Sequence, residues 1–181
     1  MKAAYILNLD ADSMGEGTMK TVWMKTALAG LLALSAGMAS AEVKVTYVNS
    51  DKFADLPFSP WDREDVLKRI TEHFNKLGER LPQGQDLTVE VTDIDLAGRE
   101  YPAPRSGRDL RVMKGMADWP IMNLRYSLSQ NGQVLKAGDA KLSDMSYMQR
   151  ISRFSDSDPL RFEKRMIDEW FDETILEKKR G

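Results

Sequence analysis

Asp93, Asp95, Asp118, Trp119, Asp144 and Tyr147 are the side chains whose types and spacing suggest chemistry. Asp93 and Asp95 stand two apart, a spacing that puts both carboxylates on one face of a strand. With Asp144 they would offer oxygens to a hard cation. The other reading makes them polar residues capping a strand end. We take that second reading, because calcium asks for about six or more oxygens and no EF-hand spacing occurs. Asp118-Trp119-Pro120 and Asp144-Met145-Ser146-Tyr147 each set an aromatic ring beside an acid at a strand end. Trp119 and Tyr147 would then form a platform for a sugar, peptide or partner protein, or else close one end of the core.

The remaining catalytic vocabulary is small. The 181 residues include no cysteine and a single histidine, His73. That excludes thiolate zinc sites, disulfide frameworks, cysteine nucleophiles and multi-histidine metal centres. No G-x-S-x-G elbow accompanies His73, which falls on the flank of a helical pattern and is expected to face solvent or a boundary. Two-carboxylate hydrolysis through Asp95 or Asp144 is compatible with the composition but not indicated by it. No cofactor is indicated either. A net charge of −2 argues against a nucleic-acid partner. The local excess of Arg99, Arg105, Arg108, Arg111 and Lys114 over Glu100 and Asp109 reads as a solvated loop and a charge-protected edge strand.

These residues must be positioned by a small set of elements. Val43 to Val48 alternates as a first strand. Ser59 and Pro60 open a helix whose apolar positions Val66, Leu67, Ile70, Phe74 and Leu77 recur at helical spacing, with Gly78 as its stop. Leu87, Val89 and Val91 share one strand face while Ile94 and Leu96 share the other, so a bulge near Thr92-Asp93 is expected. Gly98 to Gly107 reads as a loop or a poorly ordered edge, Asp109 to Lys114 as a short strand. Asn131-Gly132 predicts a type I′ hairpin between two long strands. Leu128 should face Leu135 and Tyr126 should face Ala137, with a bulge at Ala137-Gly138 restoring the later pattern. Asp158-Pro159 should open a last helix with the stripe Leu160, Phe162, Met166, Ile167, Trp170, Phe171 and Ile175, and Lys178, Lys179 and Arg180 suit its C-terminal dipole. The expected fold is α+β: an antiparallel four- to five-stranded sheet, order β-α-β-β-β-β-α, with two helices packed on one face.

Ahead of this domain, Lys20 and Lys25 precede the uncharged, Ala- and Leu-rich run from Thr26 to Ala41, which closes on Ala39-Ser40-Ala41. This is the layout of a secretory signal peptide over 19–41, with cleavage after Ala41. The run falls short of the roughly 20 apolar residues of a bilayer span, and without cysteine no lipid anchor can follow. Asp10, Asp12 and Glu16 suit a signal n-region poorly, so residues 1–18 read as a mis-assigned start, with translation beginning at Met19 or Met24, or as an extended leader beginning at Met1. Residues 42–181 then form a single domain, periplasmic or secreted.

The run Val43-Lys44-Val45-Thr46-Tyr47-Val48-Asn49 with Lys52-Phe53, and Leu87 to Gly98 with its Asp93-Ile94-Asp95-Leu96-Ala97-Gly98 end, resemble the domain of unknown function 3016 family of exported proteobacterial proteins. Ala117-Asp118-Trp119-Pro120, Leu142 to Tyr147, Phe162-Glu163-Lys164-Arg165-Met166 and Trp170-Phe171 continue the resemblance in order. It implies an exported location and supplies no activity and no catalytic residue. The function expected is a non-enzymatic binding or structural module of the cell envelope, partnered by an envelope protein. The alternatives are a binder of a sugar, peptide or lipid head group at the Trp119/Tyr147 end, and a carboxylate-based hydrolase.

Overall fold

The computed structural model of this chain describes residues 41–102 and 109–178. The leader expected over 19–41 lies, up to residue 40, outside the described residues, as do residues 1–18, Arg105, Arg108, Lys179 and Arg180. Along the chain run β1 (Glu42–Tyr47), α1 (Pro60–Gly78), β2 (Gln85–Asp95), β3 (Arg99–Tyr101), β4 (Leu110–Val112), β5 (Ile121–Gln130), β6 (Gln133–Ser143) and α2 (Arg161–Trp170). A π-helical turn, Phe171–Ile175, extends α2. Among the described residues no helix is long and apolar enough to cross a membrane.

The architecture is α+β, but the sheet is mixed rather than antiparallel throughout. Its order is β1-β2-β5-β6, and β1 runs parallel to β2, with Val43 beside Leu87 and Val45 beside Val89. The reason is the connection. A 19-residue helix joins β1 to β2, and a helical crossover returns the chain to the end from which it started, so the second strand lies parallel to the first. β2, β5 and β6 pair antiparallel. After Gly98, where a loop or a poorly ordered edge is expected, Arg99–Tyr101 pairs antiparallel with Leu110–Val112 in a separate two-stranded ribbon.

The bulge near Thr92 is present, the register slipping between Val91 and Asp93. It turns Ile94 to the same side as Leu87, Val89 and Val91, and all four are fully or almost fully buried. The hairpin turn also forms, with φ of 50° at Asn131 and 81° at Gly132. The second bulge is elsewhere. Register slips between Leu128 and Ser129, so Leu135 is the extra residue, while Ser127 pairs with Ala137 and Tyr126 with Gly138 without a break. Gly138 serves the tyrosine ring that lies across it, whose nearest atoms are 3.5 Å from where a Cβ would stand. A slip beside the turn leaves the rest of the ladder intact and still sets Met122 opposite Leu142.

Both helices share one face of the sheet. Ile70, Phe74 and Leu77 of α1 and Met166, Ile167 and Trp170 of α2 enter one core with the strand residues, α1 against β1 and α2 against β6. The opposite face is polar, where Arg125 reaches Glu90 at 2.7 Å and Asp139 at 3.4 Å. A smaller core of Ala97, Tyr147 and Phe162, with Met113 and Trp119 beside it, supports the ribbon. α2 begins two residues later than expected from Asp158-Pro159. Asp158 still serves its start, its Oδ1 accepting from the Leu160 amide at 3.0 Å and its Oδ2 from Lys164 at 2.7 Å.

Gly78, the last residue of α1, is glycine for a reason of space. A Cβ there would stand 2.3 Å from Val43 Cγ2, a stiff β-branched side chain that cannot swing away. Gly78→Ala is expected to cost about 1–3 kcal/mol by overpacking. Val43→Ala in the same chain should recover part of that loss in urea unfolding, and additive losses would disprove the contact.

Candidate functional site

The candidate residues fall into two groups, each with its own set of hydrogen-bond partners. Asp93 and Asp95 flank Ile94 on β2. Asp93 Oδ1 accepts the Ala54 amide at 2.8 Å. Asp95 Oδ1 accepts from Arg99 Nη1 at 2.9 Å, and its backbone bridges to Asp55. Arg111 of β4 reaches Asp55 Oδ2 at 2.8 Å. These carboxylates therefore tie the ribbon to the sheet through arginines. Asp144 does not join them, and among the described residues no three acid or histidine side chains converge as a cation would require.

Asp118, Trp119, Asp144 and Tyr147 do come together, in and around the smaller core. Tyr147 is 1% exposed, and its ring meets Phe162 edge-on at 4.7 Å. Its hydroxyl donates to Asp118 Oδ1 at 3.0 Å and accepts the Gly115 amide at 3.1 Å. Asp118 also accepts the amides of Lys114 at 2.7 Å and Met116 at 3.0 Å. Burial pulls the Asp118 carboxyl upward, but the Lys114 amide, the Tyr147 hydroxyl and the Met116 amide outweigh it and hold the group below its ordinary range. Burial raises the Tyr147 hydroxyl, and its neighbour Asp118 adds to the shift. Asp144, also buried, accepts from Arg165 Nη2 at 2.6 Å, and the same guanidinium donates to Tyr147 O at 2.6 Å. Only Trp119 keeps partial exposure. This geometry closes an end of the core, and three of its four members have their polar atoms turned inward.

Two charged residues of α2 carry much of this arrangement and were not singled out by sequence reasoning. Arg165 also donates to Arg150 O at 2.8 Å. Glu163, 1% exposed, accepts the Ala97 amide at 2.7 Å through Oε1, while Oε2 has no hydrogen-bond partner. A signal existed: Leu160, Glu163, Ile167 and Trp170 recur at helical spacing, so an acid stands in phase with the apolar stripe. Burial pushes the Glu163 carboxyl up, against the Ala97 amide that draws it down.

Of the two positions expected for His73, solvent-facing or boundary, the solvent-facing one is overturned: it is 8% exposed, with Nε2 2.9 Å from Asp168 Oδ1 and 3.2 Å from Lys164 O. Both partners are acceptors, so Nε2 is the donor. Arg153 pairs with the other Asp168 oxygen, and Phe154 meets the imidazole edge-on at 5.5 Å. The pair lies in a cleft of about 330 Å³ with Lys76, Leu77, Glu79 and Arg80. That lining contains no serine or threonine to act as a nucleophile, so this histidine–carboxylate pair lacks the third member of a hydrolytic triad.

A family model described as "Protein of unknown function (DUF3016)" matches residues 41–173 of the chain. No curated protein matches it.

Because folding raises the Glu163 pKa, its protonated form stabilises the fold fully below the unfolded-state value, and that contribution fades as pH rises through the folded one. Glu163→Gln keeps the acceptor for Ala97 and removes the titration. Urea midpoints should therefore show the wild type losing ground to the variant as pH rises from about 4.5 to 8. Parallel curves would show that Glu163 does not titrate in this way.

Proposed function

The chain belongs to this family of unknown function, and we propose that it works outside the cytoplasm as a non-enzymatic binding or structural module of the cell envelope. The observation that carries this reading is the inward satisfaction of its acids. Asp118, Asp144 and Tyr147 spend their polar atoms on backbone amides, Arg165 and one another. A general acid or nucleophile must instead reach a substrate. Export is supported by the charged, apolar and small-residue layout that ends at Ala41. It is also supported by β1 opening at Glu42 and by the family match opening at residue 41. The first strand thus starts directly after the inferred cleavage point.

Fractionation of cells producing the full chain should recover it in the periplasmic fraction with Glu42 as its first residue. Recovery of the uncleaved chain in the cytoplasm would overturn the export reading.

A binding module needs a face for its partner, and Phe58 and Trp61 stand 84% and 81% exposed at the start of α1. Apolar rings so open to water are candidates for a covered surface. A photo-crosslinking residue at position 61 should capture one envelope protein reproducibly. Absence of any adduct across growth conditions would count against the module.

A further inference from the structure

Lys76 and Arg80 at the end of α1, Arg153 from the segment between β6 and α2, and the buried His73 line one cleft of about 330 Å³. That is the size at which small-molecule pockets begin. Leu77 and Phe154 supply an apolar wall. Cations at the end of α1 also suit its dipole, but Arg153 comes from another segment and owes nothing to that helix end. Both arginines are fixed on two sides. Arg153 pairs with Asp168 and lies over the Phe154 ring at 5.6 Å. Arg80 pairs with Asp172 and lies over the Phe171 ring at 5.4 Å. Each of these pairs engages Nη2 alone, so Nη1 and Nε of both guanidiniums have no partner among the described residues.

The remaining charges leave the cleft cationic. Asp168 is 5% exposed and already spends Oδ1 on His73 and Oδ2 on Arg153. Lys76 is exposed and forms no ion pair among the described residues. Glu79, also exposed, is the acid at the rim that works against an anion. His73 adds a polar atom of its own. Its Nε2 is committed to Asp168 and Lys164 O, whereas Nδ1 has no hydrogen-bond partner among the described residues. That nitrogen becomes a donor when the ring is protonated. Guanidinium forks held in place with donors to spare, beside an ammonium and an apolar wall, match an oxyanion carried on a small hydrophobic body. We propose that this cleft binds a small amphipathic oxyanion, a carboxylate or phosphate monoester on an aromatic or branched group. The proposal does not rest on where in the cell the chain resides.

Benzoate and phenyl phosphate are the probes, titrated into the full chain at about pH 6, where an ordinary histidine is mostly protonated. At least one should saturate, shifting the amide resonances of Lys76, Leu77, Arg80 and Phe154. That of Lys44, exposed on β1 and outside the cleft, should stay in place. Saturation by benzoate alone assigns the ligand to carboxylates, and by phenyl phosphate alone to phosphate monoesters. Inorganic phosphate should bind about tenfold or more weakly than the better probe, because it has no body to bury against Leu77 and Phe154. Arg80→Lys keeps the charge but loses the planar fork, and Lys76→Gln removes an exposed, unpaired charge. Each should weaken the better probe about threefold or more. Glu79→Gln should tighten it. Lys44→Gln, the same charge change elsewhere, should leave it unaltered. Failure of both probes to bind would overturn the site. So would equal affinity for inorganic phosphate, or equal effects of Lys76→Gln and Lys44→Gln, either of which would reduce the cleft to general surface charge.

Discussion

Glu163, Arg165 and Asp168 sit within six positions on α2, and each is at least nine-tenths buried. Removing charges from water is costly unless each finds compensation, and each of these finds it in a different part of the chain. Glu163 takes the amide of Ala97, where β2 gives way to the ribbon. Arg165 gathers Asp144, Tyr147 O and Arg150 O from the segment after β6. Asp168 takes His73 of α1. One helix therefore joins the apolar core through its stripe and fastens two irregular segments and α1 through its polar groups. Replacing one of these partners would leave the other buried and unpaired, which is the more damaging direction of change.

Much of this architecture follows from short-range chemistry. Asn131-Gly132 determines a hairpin because both residues accept positive φ. The change of apolar phase after Val91 requires a bulge, since an unbroken strand would turn Ile94 away from the core. Ser59 before Pro60 opens α1, with its Oγ accepting the Asp62 amide at 3.4 Å. The features that escaped are long-range. The parallel placement of β1 depends on where α1 returns the chain, and nothing in Glu42–Tyr47 distinguishes a parallel edge from an antiparallel one. The ribbon pairs residues across a stretch that reads locally as Pro- and Gly-containing loop. The slip at Leu135 sits beside the turn, where the alternation of apolar residues does not mark it.

The candidate site divides in the same way. Acid beside aromatic at two strand ends was visible, and the two ends do meet. Their spacing left both a platform and a closed core open, because the outcome depends on Phe162 and Arg165 arriving from α2. His73 shows the same limit. Its place between Glu72 and Phe74 says little about Asp168, which stands almost a hundred residues further along the chain at 2.9 Å in space.

The parallel pairing of β1 bears on the order in which the chain becomes complete. Thr46 lies beside Glu90, so the first strand to leave the ribosome has no partner until α1 and β2 have followed it. An antiparallel hairpin at this end would close locally within microseconds. This edge must instead wait, exposing Val43, Val45 and Tyr47 to whatever else meets the nascent chain. The oldest strand of the sheet thus emerges without a partner, and in that form it is the edge most open to capture before the fold is whole.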